Sequence, residues 1–300
     1  MLSSLAIVGV GLIGGSLSLA LKKQGHVGEV WGVVRNPHSG NEALRLGLVD
    51  RLVSLQEAAQ AQVILVATPV AQMPAVFSAL EPHLSTDSII TDGGSTKCDV
   101  VLAAREALGV SLAQFVPAHP IAGTEKSGPS AAFDSLYQNR KVVLTPLPET
   151  KPAATHSITQ MWQAAGATVK QLSPEAHDRI FAAVSHLPHL LAFALVEQLA
   201  TDPQAEEYFS YAASGFRDFT RIAGSSPEMW RDILLANRDA VLAHLQTQQM
   251  KLTQWQELLA RNDVAALMQH LETASHARRQ WQHHIETGEP LQLHRTTDQY

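Results

Sequence analysis

Two side chains suited to proton transfer follow strand-like runs in the first half of the chain. Ser95 lies in Asp92-Gly93-Gly94-Ser95-Thr96-Lys97, and His119 opens His119-Pro120-Ile121-Ala122-Gly123-Thr124-Glu125. A histidine can accept or give a proton near neutral pH, and a nearby hydroxyl can orient it. A single strand-end histidine is more often structural, so its meaning depends on what it faces. The stretch Gly9-Val10-Gly11-Leu12-Ile13-Gly14-Gly15-Ser16 supplies a candidate. It follows the apolar run Leu5 to Val8 and opens a second, Leu17 to Leu21, so it reads as strand, tight turn and helix. Outward-pointing amides and the helix dipole make such a turn a cradle for phosphate. Gly9 allows the turn, Gly11 lets a pyrophosphate approach the backbone, and Gly14 lets helix and strand pack closely. Together with Leu12 and Ile13 these residues form the expected dinucleotide contact.

Glu29 to Val34 is a second strand-like run at βαβ distance. An NAD site usually has an acid at its end, to hold the adenosine ribose. Here the residues are Val34 and Arg35. A guanidinium can pair with a 2′-phosphate, so the expectation is NADP, with NAD possible; stacking on adenine or pointing to solvent is the alternative for Arg35. Thr68 and Pro69 end the third strand-like run, where Pro69 marks the turn and Thr68 would sit over the cofactor.

The elements that must hold these residues alternate. Strand-like runs fall at 5–8, 30–34, 63–67, 88–91, 115–118 and 142–145, with a last one at 167–172; helix-like runs at 16–24, 39–46, 73–80 and 97–108 lie between the early ones. Such alternation implies a parallel, doubly wound sheet of Rossmann type, with ligands at the strands' carboxyl ends. Ser95 and His119 would then end neighbouring strands of one sheet. From Ser173-Pro174-Glu175, an N-cap with an N1 proline and a first-turn acid, the pattern becomes helical. One helix is expected to about Ala200, another from Gln204 to Ser214 stopped by Gly215, then a polar loop from Gly215 to Ser225. Ser226-Pro227-Glu228 restarts helix to about Glu286, broken near Asn262-Asp263. The domains are thus 1–172, an α/β dinucleotide-binding domain; 173–288, an all-α substrate and dimerisation domain; and 289–300, a tail. Apolar helices in so small a domain suggest a two-fold homodimer.

Composition narrows the classes. The 300 residues carry a formal charge of −6 and give no basic footprint for nucleic acid. No uninterrupted apolar run is of membrane-spanning length, and the start of the chain lacks the basic region and cleavage pattern of a signal peptide. A single cysteine, Cys98, excludes an internal disulfide framework and suits a reducing cytoplasm. The 14 histidines are scattered without metal-ligand spacing, so no metal is expected.

The segments named above, taken in order with Ser185-His186-Leu187-Pro188-His189 and Gly215-Phe216-Arg217-Asp218-Phe219-Thr220-Arg221, resemble the prephenate/arogenate dehydrogenase family of tyrosine biosynthesis. The likeness runs from Ala6 to about Glu286, and HPIAGTE and GFRDFTR are its most specific parts. It implies oxidative decarboxylation of a cyclohexadienyl ring with a C4 hydroxyl and a C1 carboxylate, by a Rossmann domain joined to a helical dimerisation domain. The resemblance makes His119 the base on the hydroxyl, Ser95 its orienting serine and Arg221 the partner of a substrate carboxylate. His189 and Trp230 would line the substrate pocket and Glu125 would gate it. Thr124 and Asp218, in the same motifs, join the substrate-binding candidates, although Asp218 could instead pair with Arg217 or Arg221. His189 and Trp230 could also be plain packing residues. The Val34-Arg35 pair departs from the acid that many members carry.

Two other readings compete. One is a two-domain 3-hydroxy acid or pyrroline-carboxylate type oxidoreductase. The hydroxy acid enzymes typically use a lysine on an early helix of the second domain, and 173–200 contains none. The other is a dinucleotide sensor without turnover, on which Ser95, His119 and GFRDFTR would be wasted.

Overall fold

The structure, a computed structural model, describes residues 1–124, 126–291 and 293. Its contacts divide the chain into two units, Met1–Leu242 and Ala243–Tyr300.

In the first unit, β1 (Leu2–Val8), β2 (Val27–Val33), β3 (Arg51–Leu52), β4 (Val63–Val66), β5 (Ile89–Asp92) and β6 (Phe115–Val116) form one sheet in the order β3-β2-β1-β4-β5-β6. Every pair in it is parallel. Helices α1 (Leu12–Lys23), α2 (Pro37–Arg45), α3 (Leu55–Ala58), α4 (Met73–Leu80) and α5 (Cys98–Leu108) make the crossovers. Alternate strand residues point to opposite faces. Leu5, Ile7, Val63 and Leu65 pack with Leu17 and Leu21 of α1, while Ala6, Val8, Ile64 and Val66 pack with Met73, Phe77 and Val100. Burial on both faces explains why these strands read as unbroken apolar runs. The order reverses between β1 and β4, so the glycine turn after β1 lies at the switch point where ligands bind.

The run expected as one strand from Phe115 to Ala118 is two. Pro117 has no N–H for a ladder, and the chain changes sheets there. Its carbonyl accepts from Thr145 N. Beyond it β7 (Ala118–Pro120) pairs antiparallel with β8 (Lys141–Leu144), and β8 pairs parallel with β9 (Thr168–Gln171). His119 therefore sits opposite Val143 in a second, three-stranded sheet, not at the end of a strand beside β5. Helix α6 (Pro152–Ala164) covers this region, with Trp162 edge-on to buried Tyr137.

Ser173 caps α7 (Pro174–Phe181) by accepting from Ala176 N. A π-turn, Ala182–His186, joins α7 to α8 (Leu187–Ala200), so the expected helix is continuous but carries one extra residue in a widened turn. Pro188 supplies the cause, since its ring and missing N–H disturb the preceding turn. Pro174–Ala200 contains an 18-residue window of mean hydropathy 1.6, enough to cross a membrane by length and composition, while charged residues and histidines interrupt its apolar run. Its first turns carry the buried polar pair His177 and Asp178, as an inward-facing helix can.

After α9 (Ala205–Ser210) the expected loop at 215–225 is instead α10 (Ser214–Thr220) and a 3-10 turn, Arg221–Gly224. Phe216 and Phe219 stand one turn apart, and Gly215 falls in the first turn rather than stopping a helix. Ser226 accepts from Met229 N and opens α11 (Pro227–Ala236). Helix α12 (Arg238–Ala260) runs across the boundary of the two units.

The second unit holds the remainder of α12 and α13 (Val264–Thr287). Asn262, in the left-handed region at φ 52°, makes the turn between them, and Asp263 caps α13 through Ala266 N. Met250, Leu252, Leu259, Met268, Leu271 and Ile285 are exposed.

Candidate active site

His119 is held at one end of a hydrogen-bonded chain. Its Nδ1 lies 2.8 Å from His177 Nε2, and His177 Nδ1 lies 2.7 Å from Asp178 Oδ1. Asp178 is also the acceptor for the start of α5: Oδ1 takes Lys97 N and Oδ2 takes Cys98 N, each at 2.8 Å. Phe181 closes the apolar side, with its ring 5.0 Å from that of His119 and 4.4 Å from that of His177. Ser95 is half-buried and makes no hydrogen bond to His119; the group that orients the imidazole is His177.

A buried ion pair fixes the loop beneath. Lys97 Nζ meets Asp92 Oδ2, and both side chains are wholly buried. The same carboxylate accepts Gly94 N at 2.8 Å and Ala118 N at 3.0 Å, tying the Gly93-Gly94-Ser95 turn to the start of β7.

A second cluster descends the same helix. His189 Nδ1 donates to Ser185 O at 2.9 Å, and its ring stacks on Trp230 at 3.7 Å. Asn237 donates to Asp178 O at 2.8 Å and to His186 Nδ1 at 3.1 Å. Arg221, in the 3-10 turn, acts electrostatically on His189.

Burial pushes His119 well below the ordinary histidine value, and the neighbouring His177, Lys97 and His186 add to it. Burial also lowers His177, against its bond to Asp178, and lowers His189, against its bond to Ser185. His186 falls to about 4, again through burial. For Asp178 burial would raise the value, but the bonds from His177, Cys98 N and Lys97 N outweigh it and hold the carboxylate ionised. These histidines are neutral when folded and take up protons on unfolding once the pH falls below about 6.5. Stability should therefore be full above that value and decline as pH falls toward 4. His186 alone should remove on the order of 2 kcal/mol by pH 5. Urea unfolding at pH 7 and pH 5 checks this, and equal unfolding free energies would contradict it.

The glycine turn has the shape a dinucleotide requires. Gly9 has φ 94°, and a Cβ there would stand 2.8 Å from Ala67 O. A Cβ on Gly14 would stand 2.3 Å from Ile7 Cγ2, so α1 rests directly on β1. A Cβ on Gly11 would meet nothing within 4 Å: the backbone there is open. Gly11 caps α1 without a side-chain bond, which leaves the first-turn amides of Leu12, Ile13 and Gly14 for an anion. Thr68, half-buried beside this turn, has a buried hydroxyl with no hydrogen-bond partner among the described residues, and Pro69 turns the chain outward. Both features fit a bound dinucleotide. Arg35 is exposed, two residues past β2.

The other expected residues are less engaged. Thr124 is exposed and accepts Lys126 N at 3.2 Å. Asp218 lies 3.5 Å from Arg217 Nε, both exposed. Glu125 lies outside the described residues. Sequence reasoning missed His177, Asp178 and Asn237. A signal was present, because His177, Phe181, Ser185 and His189 recur every fourth residue, as one stripe of a helix would.

The family model described as prephenate dehydrogenase, nucleotide-binding domain, matches residues 17–171, and that described as prephenate dehydrogenase, dimerization domain, matches 173–273. The chain is 35% identical to a prephenate dehydrogenase of Bacillus subtilis over 91% of this chain and 75% of the relative. It is 34% identical to a cyclohexadienyl dehydrogenase of Zymomonas mobilis, over 91% and 94%. A crystal structure of prephenate dehydrogenase from A. aeolicus, in complex with hydroxyphenyl propionate and NAD+, superposes with a TM-score of 0.87 at 37% identity, covering 93% of this chain and 98% of that one. With both halves matched and relatives of this identity along most of its length, the chain belongs to the prephenate dehydrogenase family.

Proposed function

We propose that the protein oxidises and decarboxylates prephenate, with arogenate as a second substrate, using a nicotinamide dinucleotide. The observation that carries this reading is His119, an imidazole kept neutral by burial and oriented through Nδ1, in a member of this family. When bound, the oxidised nicotinamide accepts a hydride. As hydride leaves C4, His119 takes the proton of the C4 hydroxyl and the C–O bond becomes a carbonyl. The bond from C1 to its carboxylate then breaks, and its electron pair passes through the ring to that oxygen, which takes the proton back from His119. The products are a phenol and carbon dioxide, with no net proton gained or lost. Aromatisation drives the carbon–carbon cleavage, so the protein need only move one proton and hold two anionic groups.

Arg221 would hold a carboxylate as a bidentate fork, beside the stacked His189 and Trp230. Ser95 would lie against the substrate or nicotinamide rather than against His119. The matched dimerization model and the exposed apolar residues of α12 and α13 support a homodimer. The open Gly11 backbone and the free first-turn amides support the pyrophosphate site.

NADP is proposed as the preferred cofactor because Arg35, not an acid, follows β2. NAD+ is the cofactor that the A. aeolicus neighbour holds. Turnover of prephenate and of arogenate, each with NADP and with NAD, tests the whole reading. Absence of carbon dioxide and reduced cofactor in all four assays would overturn it. Arg35→Ala should weaken NADP by roughly 10-fold or more, the worth of one lost charged hydrogen bond, and leave NAD nearly unchanged. Equal losses for both cofactors would refute the role of Arg35.

A further inference from the structure

We infer that His177 and Asp178 are positioning residues that fix the tautomer of His119, so that its Nε2 carries the free electron pair. The inference deepens the reading of His119 as base and rests on it. Asp178 accepts two main-chain N–H groups, from Lys97 and Cys98, and has only acceptor oxygens to offer His177. His177 Nδ1 must therefore be the N–H that donates to Oδ1. A neutral imidazole carries one N–H, so His177 Nε2 is a bare acceptor. That acceptor lies 2.8 Å from His119 Nδ1, which must in turn carry its hydrogen. The remaining nitrogen of His119, Nε2, is left unprotonated, and among the described residues the structure gives it no protein partner.

The polarity of the chain is anchored at its far end, where α5 begins and its amides cannot reverse direction. A carboxylate two groups away thus decides which nitrogen of His119 can take a proton. The same chain serves the protonated state. When Nε2 accepts the substrate proton, the new positive charge faces an acceptor nitrogen backed by a carboxylate. Asn237, which donates to Asp178 O, holds the helix turn on which both residues stand.

Asp178→Asn reverses the logic without changing size. With its oxygen at the Oδ2 position, accepting from Cys98 N, the asparagine places its amide nitrogen where Oδ1 stands; it donates to His177 Nδ1, and Lys97 N loses its acceptor. His177 then carries its hydrogen on Nε2 and donates to His119 Nδ1, and His119 must carry its own on Nε2. The base is blocked. Nitrogen-15 NMR of labelled imidazoles reads this directly, in the free protein and without turnover. The expected result is His119 protonated at Nδ1 in the wild type and at Nε2 in Asp178→Asn. Alongside it, kcat should fall by roughly 10³–10⁴-fold, as when a wrong tautomer is imposed on a catalytic histidine, with cofactor affinity retained. His177→Gln, whose amide oxygen can accept from His119 Nδ1, should keep more activity than His177→Leu.

A wild-type His119 protonated at Nε2 would overturn the inference even if no variant folds. The reading of His119 as base fails by a separate result, normal turnover after its own replacement, so the two failures are distinguishable.

Discussion

Replacing His119 with asparagine should lower kcat by roughly 10²–10⁴-fold, the range general base catalysis contributes, with little change in cofactor affinity. Asparagine fills similar space and can hydrogen-bond the C4 hydroxyl, but it cannot take the proton. The hydride would then leave an alcohol rather than a forming alkoxide, and the developing positive charge at C4 would be uncompensated. A residual rate should survive, because cofactor positioning and the drive to aromatise do not depend on His119. The sequence of the remaining steps predicts a further sign. Removal of the base slows hydride transfer, so a C4 deuterium isotope effect on kcat should become fuller in the variant. Steady-state kinetics with prephenate, protiated and deuterated at C4, measures both quantities. Turnover close to wild type, or an unchanged isotope effect alongside a large loss, would remove His119 from the chemical step.

The main architecture was legible because its signals are local. Leu5 to Val8, Val63 to Val66 and the glycine turn declare themselves by apolar runs and by a backbone that only glycine permits. The caps at Ser173 and Ser226 were equally direct, since each pairs a hydroxyl with an amide three residues away. Non-local pairing was not legible. Two-residue β3 carries no periodicity, and the split at Pro117 depends on which partner strand takes the next residues. Gly215 misled because glycine breaks helices in their interior but is tolerated in a first turn. At the site, His119 was legible from its motif, while its orienting partner was not. His177 and His119 are 58 residues apart, and only tertiary packing brings their rings within a hydrogen bond. Ser95 was the natural candidate by position along the strand ends; Asp92 and Lys97, in the same segment, turn out to fix that loop from within.

That ion pair sets the second large effect. Lys97→Met should destabilise the protein by about 3–5 kcal/mol, the usual cost of removing one partner from a buried pair. Asp92 would keep its bonds from Gly94 N and Ala118 N, but its charge would face no cation in a site shut from water. Adding Asp92→Asn should recover part of the loss, because a neutral amide oxygen can still accept one of those N–H groups. A double-mutant cycle by chemical denaturation measures this coupling. A stable Lys97→Met protein, or strictly additive losses, would mean that the pair is not what holds the loop. The consequence reaches catalysis by two routes. Asp92 anchors the first residue of β7, so loosening it moves His119, and small misplacements of a reacting group are costly. Burial is the main reason His119 stays neutral, but the charge on Lys97 adds to it. Without that charge the imidazole should hold its proton at higher pH than in the wild type. The acidic limb of kcat/KM should accordingly move up the pH scale in Lys97→Met at temperatures where it is still folded. A limb that stays in place would show that burial alone keeps the base free.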